Sequence, residues 1–252
     1  MNAFLTFFHI ILWRPLFNVL ILLCYYLPGN NLGLSIIFLT LTIRLILYPL
    51  QAKASKSQLA LQALQPKMKA IQKQYKGDRE GQAKAMMELY KTEDINPFFS
   101  FLVMLIQFPI LIVLYRLFWN GIQEENFVYL YSFVQRPEII NPIFLGLNLD
   151  EPSRILAVVV GIVFFIQTKL SIPKKDKQQE ATKKSAFGDM FQKQMLYLFP
   201  IFIVFILFRL PSALGLYLLV GGIFMAAQQY FAKKKYYLEK NSVVLEKNQK
   251  NV

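Results

Sequence analysis

The sequence predicts an all-α membrane protein built from five transmembrane helices and a cytoplasmic helical hairpin, and three observations carry that prediction. Of the 252 residues, 55% are hydrophobic and 15% aromatic, and the mean hydropathy is +0.38, more apolar surface than a water-soluble core hides. The charges, 28 Lys+Arg against 15 Asp+Glu, gather between the apolar runs instead of mixing with them. Several of those runs also reach the ~20 residues that a helix needs to cross a bilayer.

Five segments qualify: residues 33–50, 97–119, 153–170, 195–210 and 212–232. The fourth has only 16 residues, a rise of about 24 Å, so it requires locally thin lipid or polar flanks that extend it. Loop charge then sets the orientation, because Lys and Arg stay on the cytoplasmic side. Residues 51–95 hold nine basic side chains against five acidic, whereas residues 120–152 hold Arg136 alone against Glu124, Glu125, Glu138, Asp150 and Glu151. Residues 173–194 and the tail, 233–252, carry six lysines each. Five spans with the first beginning outside put all three basic regions in the cytoplasm and the acidic loop outside, in a bacterial inner or plasma membrane.

The N-terminal segment, 1–32, reads as a hydrophobic interfacial helix. Residues 4–27 are long enough to cross, but Arg14-Pro15 interrupts them and no basic stretch precedes them, which argues against a cleaved leader. A helix lying flat would place Trp13, Phe17 and Leu20 at headgroup level. In the cytoplasmic loop, Leu61, Leu64, Met68, Ile71 and Tyr75 alternate spacings of three and four, so they share one helical face. After a turn at Lys76-Gly77-Asp78, the positions Ala83, Met86 or Met87, and Tyr90 repeat that spacing. The pair reads as an amphipathic hairpin, either a solvated helical pair or a basic paddle that meets partners at the membrane surface.

Much chemistry is excluded. Cys24 is the one cysteine and His9 the one histidine, so neither a disulfide nor a Cys/His metal site has its partners. With no Gly-Lys pair, no Gly-x-Ser-x-Gly and no His-Glu-x-x-His, there is no P-loop, nucleophile elbow or zinc-protease helix. The expectation is a non-enzyme with no cofactor and no metal. The five spans contain no Asp or Glu, against the intramembrane carboxylates usual in proton-coupled transport. Positive-inside topology already accounts for the basic charge, leaving no case for specific nucleic-acid recognition.

Arg44 is a charge well inside a span, its Cα about 9 Å from the end at Leu50 at 1.5 Å per residue. It either snorkels to the inner headgroups or faces a wet cavity between helices. Thr40 shares its face one turn earlier. Gln107 on the second span and Tyr217 on the fifth are further polar groups able to line the same cavity, although a buried Gln also serves as a helix-to-helix hydrogen bond.

In these residues the chain resembles the YidC/Oxa/Alb family of membrane-protein insertases. The resemblance runs through Leu16-Phe17, the stretch 33–49 with its late arginine, Leu64-Gln65-Pro66-Lys67 and Asn96-Pro97. It continues through Leu105-Ile106-Gln107-Phe108-Pro109-Ile110, Leu114-Tyr115, Phe199-Pro200, Pro211-Ser212, Gly215-Leu216-Tyr217 and Gln228-Gln229, covering roughly residues 14–232. It implies a five-helix core with a hydrophilic groove, open to cytoplasm and lipid and closed on the outer side, with Arg44 as the groove arginine and Thr40, Gln107 and Tyr217 as its polar lining. The implied partners are newly made membrane proteins and the bilayer, with the Sec translocon and the ribosome as further candidates; the basic tail suits anionic lipid or ribosomal RNA. The alternative from another class is an anion transporter or channel subunit using the same arginine.

Overall fold

The computed structural model describes residues 6, 8–96, 98–119, 122–171 and 186–249. Most of the basic loop expected at 173–194 and the last three tail residues therefore lie outside the described residues. The fold is helical, with one small hairpin of strands. A π-helical turn, His9–Trp13, leads into α1 (Arg14–Tyr26), followed by α2 (Leu32–Gln74), α3 (Arg79–Thr92) and α4 (Phe98–Trp119); then come β1 (Ile143–Phe144) and β2 (Leu147–Asn148), and finally α5 (Arg154–Ser171), α6 (Ala186–Leu207) and α7 (Ser212–Gln249). Most described residues of the five expected spans fall on helices, residues 208–210 of the fourth lying past the end of α6. Among the described residues His9–Tyr26, Leu32–Gln74, Arg154–Ser171 and Ser212–Tyr236 are long and apolar enough to cross a membrane, while Leu105–Trp119 and Leu196–Leu207 are shorter apolar helices.

Two helices run past the ends of the spans they carry. No break separates the first span from the hairpin: α2 continues through Pro49 and Pro66. Each proline removes a backbone donor, but the residues around Pro66, rich in Leu, Gln, Ala and Lys, are strong helix formers. Likewise α7 runs on from the fifth span into the tail residues as far as Gln249, with no Gly or Pro after Gly222 to end it.

The chain divides into two compact units, Met1–Ile46 with Phe108–Ala227 and Leu47–Gln107 with Gln228–Val252. In the first unit, Pro15 lies where the π-helical turn passes into α1 and the two run on as one helix, His9–Tyr26, so Arg14-Pro15 does not interrupt it. The helix ends at Leu27, which is extended ahead of Pro28, as the residue before a proline prefers. Phe17, Leu20, Ile21 and Cys24, at spacings of three and one, form its fully buried face. In α5 and α6, Gly161 leaves the room that Val204 occupies, and Phe164 meets Phe199 at 6.1 Å between ring centroids. Gly215 and Gly222 of α7 take up Leu156 and Val163 of α5 in the same way, a Cβ on either glycine lying 3.0 Å from its neighbour. Glycine lets helix backbones approach closely where no water drives them together.

In the second unit the hairpin has its expected stripe. Leu64 is buried, and Leu61, Met68, Ile71 and Tyr75 are all partly covered. The reversal uses Gly77 at φ 97, a left-handed value that glycine adopts without strain, and Asp78 caps α3 by accepting from the Gly81 N–H at 2.9 Å, a typical N-cap bond. On α3 the covered face is Gln82, Met86, Leu89 and Tyr90, while Ala83 and Met87 are exposed. Lys67 on α2 pairs with Glu93 just past α3, and the Ser57 hydroxyl donates to the Asn96 carbonyl at 2.7 Å.

Candidate functional site

An arginine in the apolar half of α2 needs somewhere to put its charge, and in the first unit it has one. The Arg44 side chain is 3% exposed, so it lies inside the protein and does not run along the helix toward headgroups. Its guanidinium carbon stands 6.0 Å from the centre of the Tyr217 ring, within reach of a cation–π contact, and Tyr217 is itself 1% exposed. One turn further along α7 is Gly221. A Cβ built there would fall 2.5 Å from Arg44 Nη2, 3.0 Å from Nε and 3.2 Å from Cζ. The guanidinium thus rests in a notch that exists because residue 221 has no side chain.

Of the four residues expected to form the site, the structure brings Arg44 and Tyr217 together. Thr40 is buried one turn before Arg44, and its hydroxyl donates to the Ile36 carbonyl of its own helix at 2.6 Å. Gln107 is half-buried on α4 as the last residue of that stretch of the second unit. Sequence reasoning missed Gly221; its signal was the Gly221-Gly222 pair inside an apolar span, with Gly221 one turn from Tyr217. Also missed were two buried amides of the second unit, Gln51 and Gln228. Among the described residues both Gln51 amide atoms and the Gln228 Nε2 have no hydrogen-bond partner, an arrangement that water resolves at low cost.

A second polar cluster ties α1 to the acidic loop. Asn18, 2% exposed, donates to the carbonyls of Arg14 at 2.8 Å and Tyr129 at 3.1 Å, and accepts from the Tyr131 N–H at 2.6 Å. Arg14 Nε donates to the Tyr129 carbonyl at 2.9 Å, and its guanidinium lies over the Tyr131 ring at 4.8 Å. The same loop then seals the starts of two long helices. Leu32 N donates to the Asn141 carbonyl at 2.9 Å, and Ser212 N and Ala213 N donate to the carbonyls of Glu151 and Leu149, each at 2.9 Å. These bonds satisfy donors that helix starts otherwise leave open. Among the described residues no three His, Cys, Asp or Glu side chains gather as a metal site would require.

Comparison with known proteins places this arrangement. The family model described as "60Kd inner membrane protein" matches residues 23–240. A protein of Nitrosomonas eutropha named "Membrane protein insertase YidC" is 34% identical over 223 residues, which is 88% of this chain and 32% of that protein. Its namesake from Francisella tularensis subsp. novicida is 33% identical over 207 residues, 82% of this chain and 33% of that one. The chain thus spans about a third of the length of these curated relatives. A solved structure, "Active YidC insertase crystal structure with the first transmembrane domain resolved", has the same fold, with a TM-score of 0.55 at 23% identity over 92% of this chain and 47% of that one. With its apolar helices and bacterial relatives, the chain is a multi-pass protein of the bacterial cytoplasmic membrane. A model match that covers most of the sequence, together with these relatives, makes it a member of the 60Kd inner membrane protein family.

Proposed function

We propose that this chain inserts other proteins into the membrane by receiving a client's hydrophilic tail beside Arg44 and releasing its apolar segment into lipid. The observation that carries the reading is the Arg44 guanidinium held inside an apolar helix bundle against Tyr217 and Gly221. A client segment of about 20 apolar residues gains free energy on entering lipid. The barrier is the passage of its polar flank through hydrocarbon, and a wet pocket with a fixed positive charge shortens that passage and attracts acidic flanks. Thr40 and Tyr217 are the proposed polar lining beside Arg44, and Gln107 is proposed as a client-contacting polar group of the second unit. The bonds from the acidic loop to the starts of α2 and α7 support a pocket closed on that side. Nothing in this scheme requires bond-making chemistry or a cofactor.

Reconstitution in proteoliposomes tests it. Vesicles containing this protein alone are expected to integrate a short client, read by protease protection, while leaving chloride flux at the level of empty vesicles. Solute flux without integration would turn the reading into the anion transporter. Adding the Sec translocon or ribosomes to the same vesicles tests each as a partner by its effect on yield.

The topology is part of the proposal. Five spans with the acidic loop outside leave α1 flat on the outer surface, because both of its ends bond to that loop: Arg14 to Tyr129, and Asn30 and Asn31, just past its end, to Ile139 at 3.0 Å and Ile143 at 2.8 Å. A crossing helix carries its ends to opposite sides. In a Cys24→Ala background, single cysteines at positions 6 and 125 are expected to react with an impermeant maleimide added outside, and one at 76 to react only after lysis. Protection of position 6 would make α1 a span, and labelling of 76 from outside would invert the protein.

A further inference from the structure

We propose that the hairpin at residues 139–149 is a lipid-contact surface whose tip, Leu145, sits in the headgroup–acyl boundary of the leaflet facing the acidic loop. Residues 139–149, Ile-Ile-Asn-Pro-Ile-Phe-Leu-Gly-Leu-Asn-Leu, carry no charge, whereas Glu138 and Asp150 flank them and the whole loop holds five acidic side chains. β1 and β2 pair antiparallel, Ile143 with Asn148 and Phe144 with Leu147, around a two-residue turn in which Leu145 has φ 51 and Gly146 φ 79. Two consecutive left-handed residues suit Asn-Gly. A leucine in that conformation is strained, and this one is 87% exposed. In water the leucine would incur that strain with nothing gained from its side chain; lipid at the tip offsets it.

The hairpin's place on the fold says what covers it. Phe144 packs on Gly33 in the first turn of α2, where the apolar run of that helix begins, and Asn31 bridges to Asn141 just before it. The tip therefore lies beside the entry of an apolar helix into the bilayer. On β1 the pleat turns Ile143 outward and Phe144 inward, and Ile139 adds a further exposed side chain at 73%. On α2 itself, Phe38, just over a turn beyond Gly33, is also exposed. The hairpin backbone is suited to a poorly hydrated boundary, where unpaired polar groups are costly. Besides the strand pairing, Asn141 Oδ1 accepts from the Ile143 N–H at 2.9 Å and Asn31 Nδ2 donates to the Ile143 carbonyl at 2.8 Å. A membrane-seated tip holds the loop that covers α2 and α7 at a constant depth. The inference rests on the membrane-spanning helices and is independent of insertion activity.

The test places an NBD fluorophore on a single cysteine, Leu145→Cys or Ile139→Cys, in the Cys24→Ala protein reconstituted in phosphatidylethanolamine–phosphatidylglycerol vesicles. Glu125→Cys, elsewhere in the same loop, is the aqueous reference. At both hairpin positions the emission is expected to be blue-shifted from that of position 125 and quenched more strongly by a lipid nitroxide near the headgroup than by one at the chain end. Emission and iodide quenching equal to those of position 125 would place the tip in water and overturn the proposal. So would a blue shift without nitroxide quenching, since protein and not lipid would then cover the tip.

Discussion

Insertion of a client whose translocated tail is acidic falls by roughly 30-fold when Arg44 is replaced by alanine, while a client with a neutral tail is affected little. The magnitude follows from Coulomb's law: a unit charge about 8 Å from a carboxylate, at an effective dielectric constant of ~20, is worth about 2 kcal/mol, and each 1.36 kcal/mol of barrier is about tenfold in rate. Arg44→Lys keeps a positive charge at the same depth and retains much of the rate. Arginine stays protonated, so the mechanism requires no proton transfer and the Ala/Lys contrast is one of charge alone. Tyr217 and Gly221, which the structure places against the guanidinium, are not carboxylates, and the alanine protein is expected to fold. The measurement is protease protection of two clients differing only in tail charge, with wild type, Lys and Ala variants at equal levels. Equal insertion of the acidic client by wild type and Arg44→Ala would leave the arginine with a packing role and remove the charge from the mechanism.

Gly221→Ala should reproduce much of that defect without touching the charge. Its Cβ would lie 2.5 Å from Arg44 Nη2, closer than packed atoms tolerate, so the guanidinium must leave its notch or α7 must shift. Overpacking of this kind costs about 1–3 kcal/mol. The sign of the effect identifies the cause. With Arg44 present, Gly221→Ala is expected to lower the melting temperature of the purified protein in detergent. With Arg44→Ala the obstruction is gone, and alanine in place of a helical glycine gains about 1 kcal/mol, so the same change becomes neutral or stabilising. Lysine lacks the Nη2 atom that meets the new methyl, so Arg44→Lys in the Gly221→Ala protein should recover part of the acidic-client insertion. A melting temperature lowered equally in both backgrounds would assign Gly221 to helix packing instead. Coupled melting temperatures with undiminished insertion would confirm the notch but separate it from client handling.

What was legible in the sequence were properties that depend on near neighbours along the chain. The spans at 33–50 and 153–170 could be read because an apolar run of membrane length admits few alternatives to a helix. The stripe from Leu61 to Tyr75 could be read because residues three and four apart share a face whatever packs on it. Arg44 stood out because a charge among apolar residues is costly and so demands an explanation. The family could be recognised because motifs such as Gln107-Phe108-Pro109 and Gly215-Leu216-Tyr217 keep their order and spacing.

Tertiary structure decided what depends on residues far apart in sequence. Pro49 and Pro66 look like helix boundaries locally, but α2 passes through both, because loss of one backbone bond is outweighed when the flanking turns are themselves stable. Arg14-Pro15 looks like a break, yet the helix from His9 to Tyr26 runs through it and Arg14 meets Tyr129, 115 positions away. Asn18 is an unremarkable polar residue in an apolar run until Tyr129 and Tyr131 supply its partners. Whether Arg44 reaches toward headgroups or turns inward depends on Gly221, 177 positions later (221 − 44), whose missing side chain leaves the space that the guanidinium fills. Periodicity and hydropathy set where helices form and which faces are apolar. They are silent on which atom a distant backbone will leave room for, since that is a matter of close packing in three dimensions, where a single methyl group decides.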